Sequence, residues 1–237
     1  MTTATYDEKS ESFVINTPEV RAAKWWIGNL GIFCTHACVF AQLVLKGKNH
    51  GVHAFVVAVR DREHKAVSGV EVGDIGPKMG FQTMDNGYLI FREYRVPRQA
   101  MLMKYHKVSK EGEYSVSGNE KITYATMLMI RSKIPFVSYA KTSKAVTILT
   151  RYSLYRRQFK DNKGVEMPVM DYQLQQEKVL PRIAEVFANL FAFKSIIELA
   201  KAVLDDANRN VFTKLQEAHI ISSSIKALCT KDGLRGL

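Results

Sequence analysis

Apolar residues in the first half of the chain come in short runs with turn-forming stretches between them, which predicts β structure as far as about Glu113. The runs Ser12 to Asn16, Ala37 to Leu45, Ala54 to Val59, Gly69 to Val72 and Tyr88 to Phe91 are rich in Val, Ile, Phe and Tyr. Met1 to Tyr6 has the texture of the middle of a strand. Lys46 to Gly51 and Asp85-Asn86-Gly87 read as turns. Arg95-Val96-Pro97 breaks the ladder, because proline donates no backbone hydrogen bond and belongs on an edge or at an exit. Short strands regularly punctuated in this way imply a compact barrel or sandwich.

The periodicity changes at Ser117. Ser117-Gly118-Asn119-Glu120 matches a capping box, and Ile122, Ala125, Met129, Phe136, Ala140, Val146 and Leu154 then recur at near-helical spacing. A long helix to about Gln158 is expected, kinked or split by Pro135. A polar loop from Lys160 to Pro168 follows, then a helix from Asp171 to about Asp206 with Pro181 inside it, and a third helix from near Phe212. The apolar pattern continues to Leu237, and a strand-like start at Met1 matches it at the other end, so a piece of a longer protein is expected. The fold class is α+β: a β-barrel or sandwich over 1–115, then a truncated antiparallel helical bundle over 116–237.

A chain of 237 residues can bury one large core or two modest ones. No apolar run is long enough to span a bilayer, and the first residues lack the apolar core of a secretory signal. Cys34, Cys38 and Cys229 are odd in number and are expected as free thiols in a reducing compartment. The net charge of +11 favours polyanionic partners, among them nucleic acid, an acidic membrane surface or a phosphate-bearing cofactor. No block of five or six like charges occurs, which argues against a disordered nucleic-acid arm.

Three stretches bear on chemistry. Lys24-Trp25-Trp26-Ile27-Gly28-Asn29-Leu30-Gly31 joins rigid aromatic area to glycines that let a flat ligand approach, or else it is a strand end whose indoles fill the core. Cys34-Thr35-His36-Ala37-Cys38 has residue types that bind zinc, but no second ligand pair exists elsewhere, so a packed strand entry is preferred and no metal is expected. The histidines His53, His106 and His219 are read as satisfied or exposed. Tyr152 to Lys160 places two guanidinium groups, an amide and a ring at a helix end, a set that suits a nucleotide pyrophosphate or a solvated basic surface.

Taken in order, Lys24-Trp25-Trp26-Ile27-Gly28-Asn29, Gly73-Asp74-Ile75-Gly76-Pro77-Lys78-Met79-Gly80, Phe91 to Leu102 and Arg156-Arg157-Gln158-Phe159 resemble the acyl-CoA dehydrogenase and oxidase superfamily, most closely the peroxisomal acyl-CoA oxidases. The resemblance implies FAD as cofactor, with Gly28 and Trp26 against the isoalloxazine. Dehydrogenases carry a threonine where this chain has Gly28, and an open position there would let oxygen reach the reduced ring. Arg156, Gln158 and Phe159 match a set that reaches across a homodimer interface to the partner's FAD, and Arg131 matches a substrate-binding arginine near the acyl-CoA channel.

The implied function is that of a peroxisomal oxidase taking fatty acyl-CoA to trans-2-enoyl-CoA and molecular oxygen to hydrogen peroxide, with neither nucleic acid nor a membrane span. The family's glutamate base would lie beyond Leu237, and its N-terminal helical domain is missing, so no catalytic residue is assigned and the isolated chain is expected to be inert. Glu177 and Asp171 read as ordinary helix positions. The chain departs from the family at Ile32-Phe33, where Lys-Thr is usual, at Lys160, where Gly is usual, and at Pro135. The alternatives are an acyl-CoA dehydrogenase and a non-catalytic paralogue serving as a binding module.

Overall fold

The computed structural model describes residues 1–117 and 121–235. The chain divides into two compact units, Met1–Gly118 and Asn119–Leu237.

The first unit contains β1 (Thr3–Asp7), β2 (Ser12–Asn16), β3 (Lys24–Ile27), β4 (His36–Leu45), β5 (Lys48–Ala58), β6 (Val70–Asp74), β7 (Gly87–Phe91), β8 (Tyr94–Pro97), β9 (His106–Val108) and β10 (Tyr114–Val116). They form a five-stranded sheet in the order β5-β4-β1-β2-β8, a three-stranded sheet β3-β7-β6, and the pair β10-β9. In the large sheet β1 runs parallel to β4, and the other pairings are antiparallel. Each sheet is open, so the barrel is not formed.

Alternation sets the core. On β2, Phe13 and Ile15 are fully buried while their neighbours are half-exposed. Phe13 packs at 5.0 Å from the Tyr6 ring and edge-on at 5.1 Å to Phe55. Leu89 and Phe91 of β7 join the same cluster, so the two larger sheets share one core. Burying each such side chain contributes about 1.5–3 kcal/mol.

Two expectations are corrected here. Only Lys46-Gly47 turn, both at positive φ as a two-residue hairpin requires, and pairing resumes at once with Lys48 opposite Leu45. The polar residues Lys48 to Gly51 therefore belong to β5. Arg95-Val96-Pro97 does not only end the ladder but forms most of β8, with Pro97 opposite Ser12 on the sheet edge.

The second unit contains α1 (Lys121–Ser132), α2 (Ile134–Tyr155), β11 (Arg157–Lys160), β12 (Glu166–Pro168), α3 (Gln173–Asn208) and α4 (Leu215–Arg235). The expected long helix is split at Lys133, and Pro135 occupies the first turn of α2, where its missing N–H has no helical partner to lose. Pro181 lies inside the continuous α3. Apart from Ser117, the capping box lies outside the described residues; the Ser117 hydroxyl donates to the Lys104 carbonyl at 3.0 Å.

The stretch read as a polar loop includes a hairpin. Asp161 accepts from the Lys163 and Val165 amides at 2.8 and 2.9 Å, and Gly164 at φ 78° closes the turn between β11 and β12. Small side chains, Ala125, Ala200, Ala207 and Ala218, lie with Leu128, Val203 and Leu215 in the core shared by α1, α3 and α4. No helix among the described residues is long and apolar enough to cross a membrane.

Candidate functional site

The stretch from Lys24 to Cys34 leaves the sheet in a way that turns its aromatic residues outward. The β3–β7 ladder slips between Lys24 and Ile27, and Trp26, within the slip, has φ 69°. A bulky residue at positive φ is rare and costs of order 1–3 kcal/mol, a strain that concentrates at functional sites. Trp25 and Trp26 are 59% and 53% exposed, which excludes the reading that puts them in the core. Trp25 stacks on Tyr88 at 6.1 Å, and Phe33 is 71% exposed. Asn29 follows at φ 63°, a conformation asparagine tolerates. Lys24 is anchored by its ammonium, which donates to the Phe40 carbonyl at 2.9 Å; burial pushes its pKa down.

Below this exposed surface the loop is held by residues that the sequence pattern did not single out. Asn86 Nδ2 donates to the Trp26 carbonyl at 3.2 Å, while its buried Oδ1 has no hydrogen-bond partner. The Asp85 carboxylate accepts from the Ile32 and Phe33 amides at 2.8 and 3.1 Å, and the Asp85 carbonyl accepts from Gly31 at 2.9 Å. Asp85-Asn86-Gly87 read only as a turn because its side chains act on residues about fifty positions away. A Cβ placed on Gly28 would come within 3.3 Å of the Met84 sulfur.

Burial raises the Asp85 pKa, but the Phe33 and Ile32 amides, its own amide and the Arg60 charge outweigh it, so the carboxyl lies below its ordinary value. A depressed folded pKa makes this stabilisation complete above the unfolded value of about 3.9 and removes it as the pH falls further. The stability gap between wild type and Asp85→Asn should therefore shrink as acid protonates Asp85 in the wild type. Urea midpoints at about pH 6 and about pH 3 check this, and a gap of constant width would refute it.

The basic set lies on the second unit. Arg156 caps α2 in extended conformation, its amide donating to the Tyr152 carbonyl at 2.7 Å. Its Nη2 donates to Gln158 Oε1 at 3.1 Å, the Tyr172 hydroxyl donates to the Gln158 carbonyl at 2.7 Å, and Phe159, at φ 55°, is 70% exposed. Gln158 and Phe159 are thus strand residues and not the last turn of a helix. Arg156, Gln158 and Phe159 nevertheless lie on one short exposed segment. Arg131, in the last turn of α1, places Nη1 at 3.2 Å from both His219 Nδ1 and Ser223 Oγ, so it ties α1 to α4. A cleft of about 370 Å³ opens between α2 and α3, lined by Tyr139, Val146, Arg151 and Phe187 among others.

Cys34 precedes β4 while His36 and Cys38 lie within it, so the three do not share one strand face. Among the described residues no group of three or more His, Cys, Asp and Glu is arranged to hold a metal ion. His53 and His106 both contact the Tyr114 hydroxyl, at 3.0 and 2.8 Å, a network built by strand pairing that spacing along the chain does not show.

Residues 124–237 match the family model for the acyl-CoA oxidase C-alpha1 domain. Peroxisomal acyl-coenzyme A oxidase 1 of Bos taurus is 43% identical over 228 residues, covering 95% of this chain and 34% of its own length. The solved structure of Arabidopsis thaliana acyl-CoA oxidase 1 superposes with a TM-score of 0.94 at 41% identity, covering 99% of this chain and 37% of that one. Acyl-CoA oxidase-2 of Caenorhabditis elegans, bound with FAD, ascaroside-CoA and ATP, gives 0.91 at 40% identity, covering 99% and 36%. This chain spans about a third of the length of the relatives it matches. Both its sequence and its fold place it in one group: the chain belongs to the acyl-CoA oxidase family.

Proposed function

We propose that the chain is the central segment of a peroxisomal, FAD-dependent acyl-CoA oxidase, with 1–115 contributing to the flavin and acyl-CoA site and 116–237 opening the C-terminal helical domain. The observation that carries this reading is the strained, outward-facing Trp26 next to the side-chain-free Gly28. Relatives named peroxisomal oxidases and a relative bound with FAD and an acyl-CoA support it.

The residues fit the cofactor. Exposed indoles offer a flat apolar face to an isoalloxazine, the space beside Gly28 is one that a Cβ would crowd, and the orphaned Asn86 Oδ1 leaves an acceptor in the segment just before β7. Arg156, Gln158 and Phe159 join a guanidinium, an amide and an exposed ring, the types that hold a pyrophosphate and stack on adenine, here offered to the FAD of a partner in a homodimer.

Bound FAD would supply the hydride acceptor and the passage of electrons to oxygen, and the α-proton would go to a carboxylate base that is assigned to no residue of this chain. Trp26 would fix the plane of the ring, and Gly28 would leave its edge open. Arg131, held by His219 and Ser223, would serve on the substrate side. The +11 charge suits the phosphates of CoA and FAD.

Full-length protein should show flavin absorbance and form one hydrogen peroxide per acyl-CoA oxidised, whereas purified 1–237 should form none. A full-length protein without flavin, or one whose reduced flavin ignores oxygen, would sink the oxidase reading. Peroxide from 1–237 alone would show that the base lies inside the chain.

A further inference from the structure

Arg60 is a cation buried to 6% exposure two residues past the end of β5, where an ordinary arginine would reach solvent. Its Nη1 donates to the Leu30 and Cys34 carbonyls at 2.7 and 3.1 Å, and its Nη2 donates to the Gly31 carbonyl at 2.7 Å. None of the ion pairs among the described residues includes it. Burying a cation is expensive unless hydrogen bonds compensate, and here the compensation comes from backbone oxygens of a single loop.

The same loop presents its amides to the anion. Asp85 accepts from Ile32 and Phe33, so a cation gathers the carbonyls of Leu30, Gly31 and Cys34 while a carboxylate gathers the amides between them. Consecutive carbonyls at 30 and 31 need two donors at a fixed separation, which the planar guanidinium fork supplies and a lysine ammonium does not. The loop begins directly after Gly28-Asn29 and runs through the exposed Phe33 to Cys34.

We propose that Arg60 is the positioning residue of the site: its fork sets the shape of Leu30–Cys34 and through it the presentation of Trp26 and Gly28 to the flavin. The purpose rests on the flavin reading above; the loop geometry does not.

The test uses full-length protein, with Arg60→Lys set beside Val108→Ala, which removes core volume on β9. Amide hydrogen exchange is followed without FAD, and FAD affinity is measured separately, both well below the melting temperature of either variant. In Arg60→Lys the Gly31, Ile32, Phe33 and Cys34 amides should exchange roughly tenfold faster and the FAD dissociation constant should rise roughly tenfold. Val108→Ala should lose thermal stability with neither change. Retained loop protection in Arg60→Lys, or unchanged FAD affinity despite lost protection, would overturn the proposal. So would Val108→Ala reproducing both effects. If Arg60→Lys does not fold, Arg60→Gln, which keeps one amide donor without the charge, is read by the same criteria. A wild type that binds no FAD removes the flavin reading, and the exchange data alone then uphold or overturn the loop-setting role.

Discussion

Gly87→Ala should cost the first unit about 3 kcal/mol, at the upper end of the usual range for overpacking. A Cβ on Gly87 would lie 2.6 Å from the Gly31 nitrogen, 2.7 Å from the Leu30 carbonyl carbon and 2.8 Å from the Gly73 oxygen. All three are backbone atoms, so no side-chain rotation relieves the clash. Either β7 separates from the strand beside it or the Leu30–Gly31 segment moves off, and the second outcome displaces the loop that Arg60 and Asp85 hold. In a unit of this size the loss lowers the melting temperature by roughly 10 °C. Gly80→Ala is the control, because a Cβ there meets nothing within 4 Å. Equal melting temperatures for the two variants would contradict the close approach.

Gly28→Thr should act on chemistry more than on stability. The added Cβ would sit 3.3 Å from the sulfur of Met84, a flexible and partly exposed side chain that can yield. In the full-length protein the variant should fold and be reduced by acyl-CoA at near the wild-type rate. Its reoxidation by oxygen should slow by about tenfold, the equivalent of about 1.4 kcal/mol on the barrier. Stopped-flow measurement of the two half-reactions separates them, and equal slowing of both would mean that Gly28 controls ring binding and not oxygen access.

The strands were legible because alternation is a direct imprint of burial: β2, β4 and β7 appear within a residue of where Val, Ile, Leu and Phe place them. β5 was legible only in its apolar half, since Lys48 and Asn49 pair through the backbone, His50 and Gly51 fall in a register shift, and none of the four carries a hydrophobic signal. The helix break was visible at Pro135, although its outcome, a new first turn and not a kink, depends on where the preceding helix ends. The expected helix to about Gln158 overruns the true end at Tyr155, because the last position of the apolar pattern, Leu154, is exposed and marks no boundary.

The candidate site was half legible. Trp26 and Gly28 stand out as residue types, whereas Arg60, Asp85 and Asn86 are ordinary until folding brings them under the loop. An arginine directly after an apolar strand run was the available sign of Arg60. Its meaning comes from contacts made about thirty residues back in the chain, which no local pattern records.

The position of β1 in the middle of the large sheet has a consequence for how the protein is made. Of this sheet's five strands a ribosome delivers the centre one first, and β1 and β2 can zip together as soon as both have emerged. The outer edge of β2, however, waits for β8, roughly 80 residues later. At about 5–20 residues per second that is on the order of 4–16 s during which Phe13 and Ile15 lie beside an unpaired strand edge. Slow translation or crowded nascent chains will therefore leave this sheet longest in its most adhesive state, and yield will respond to synthesis rate and chaperone supply before it responds to the stability of the finished fold.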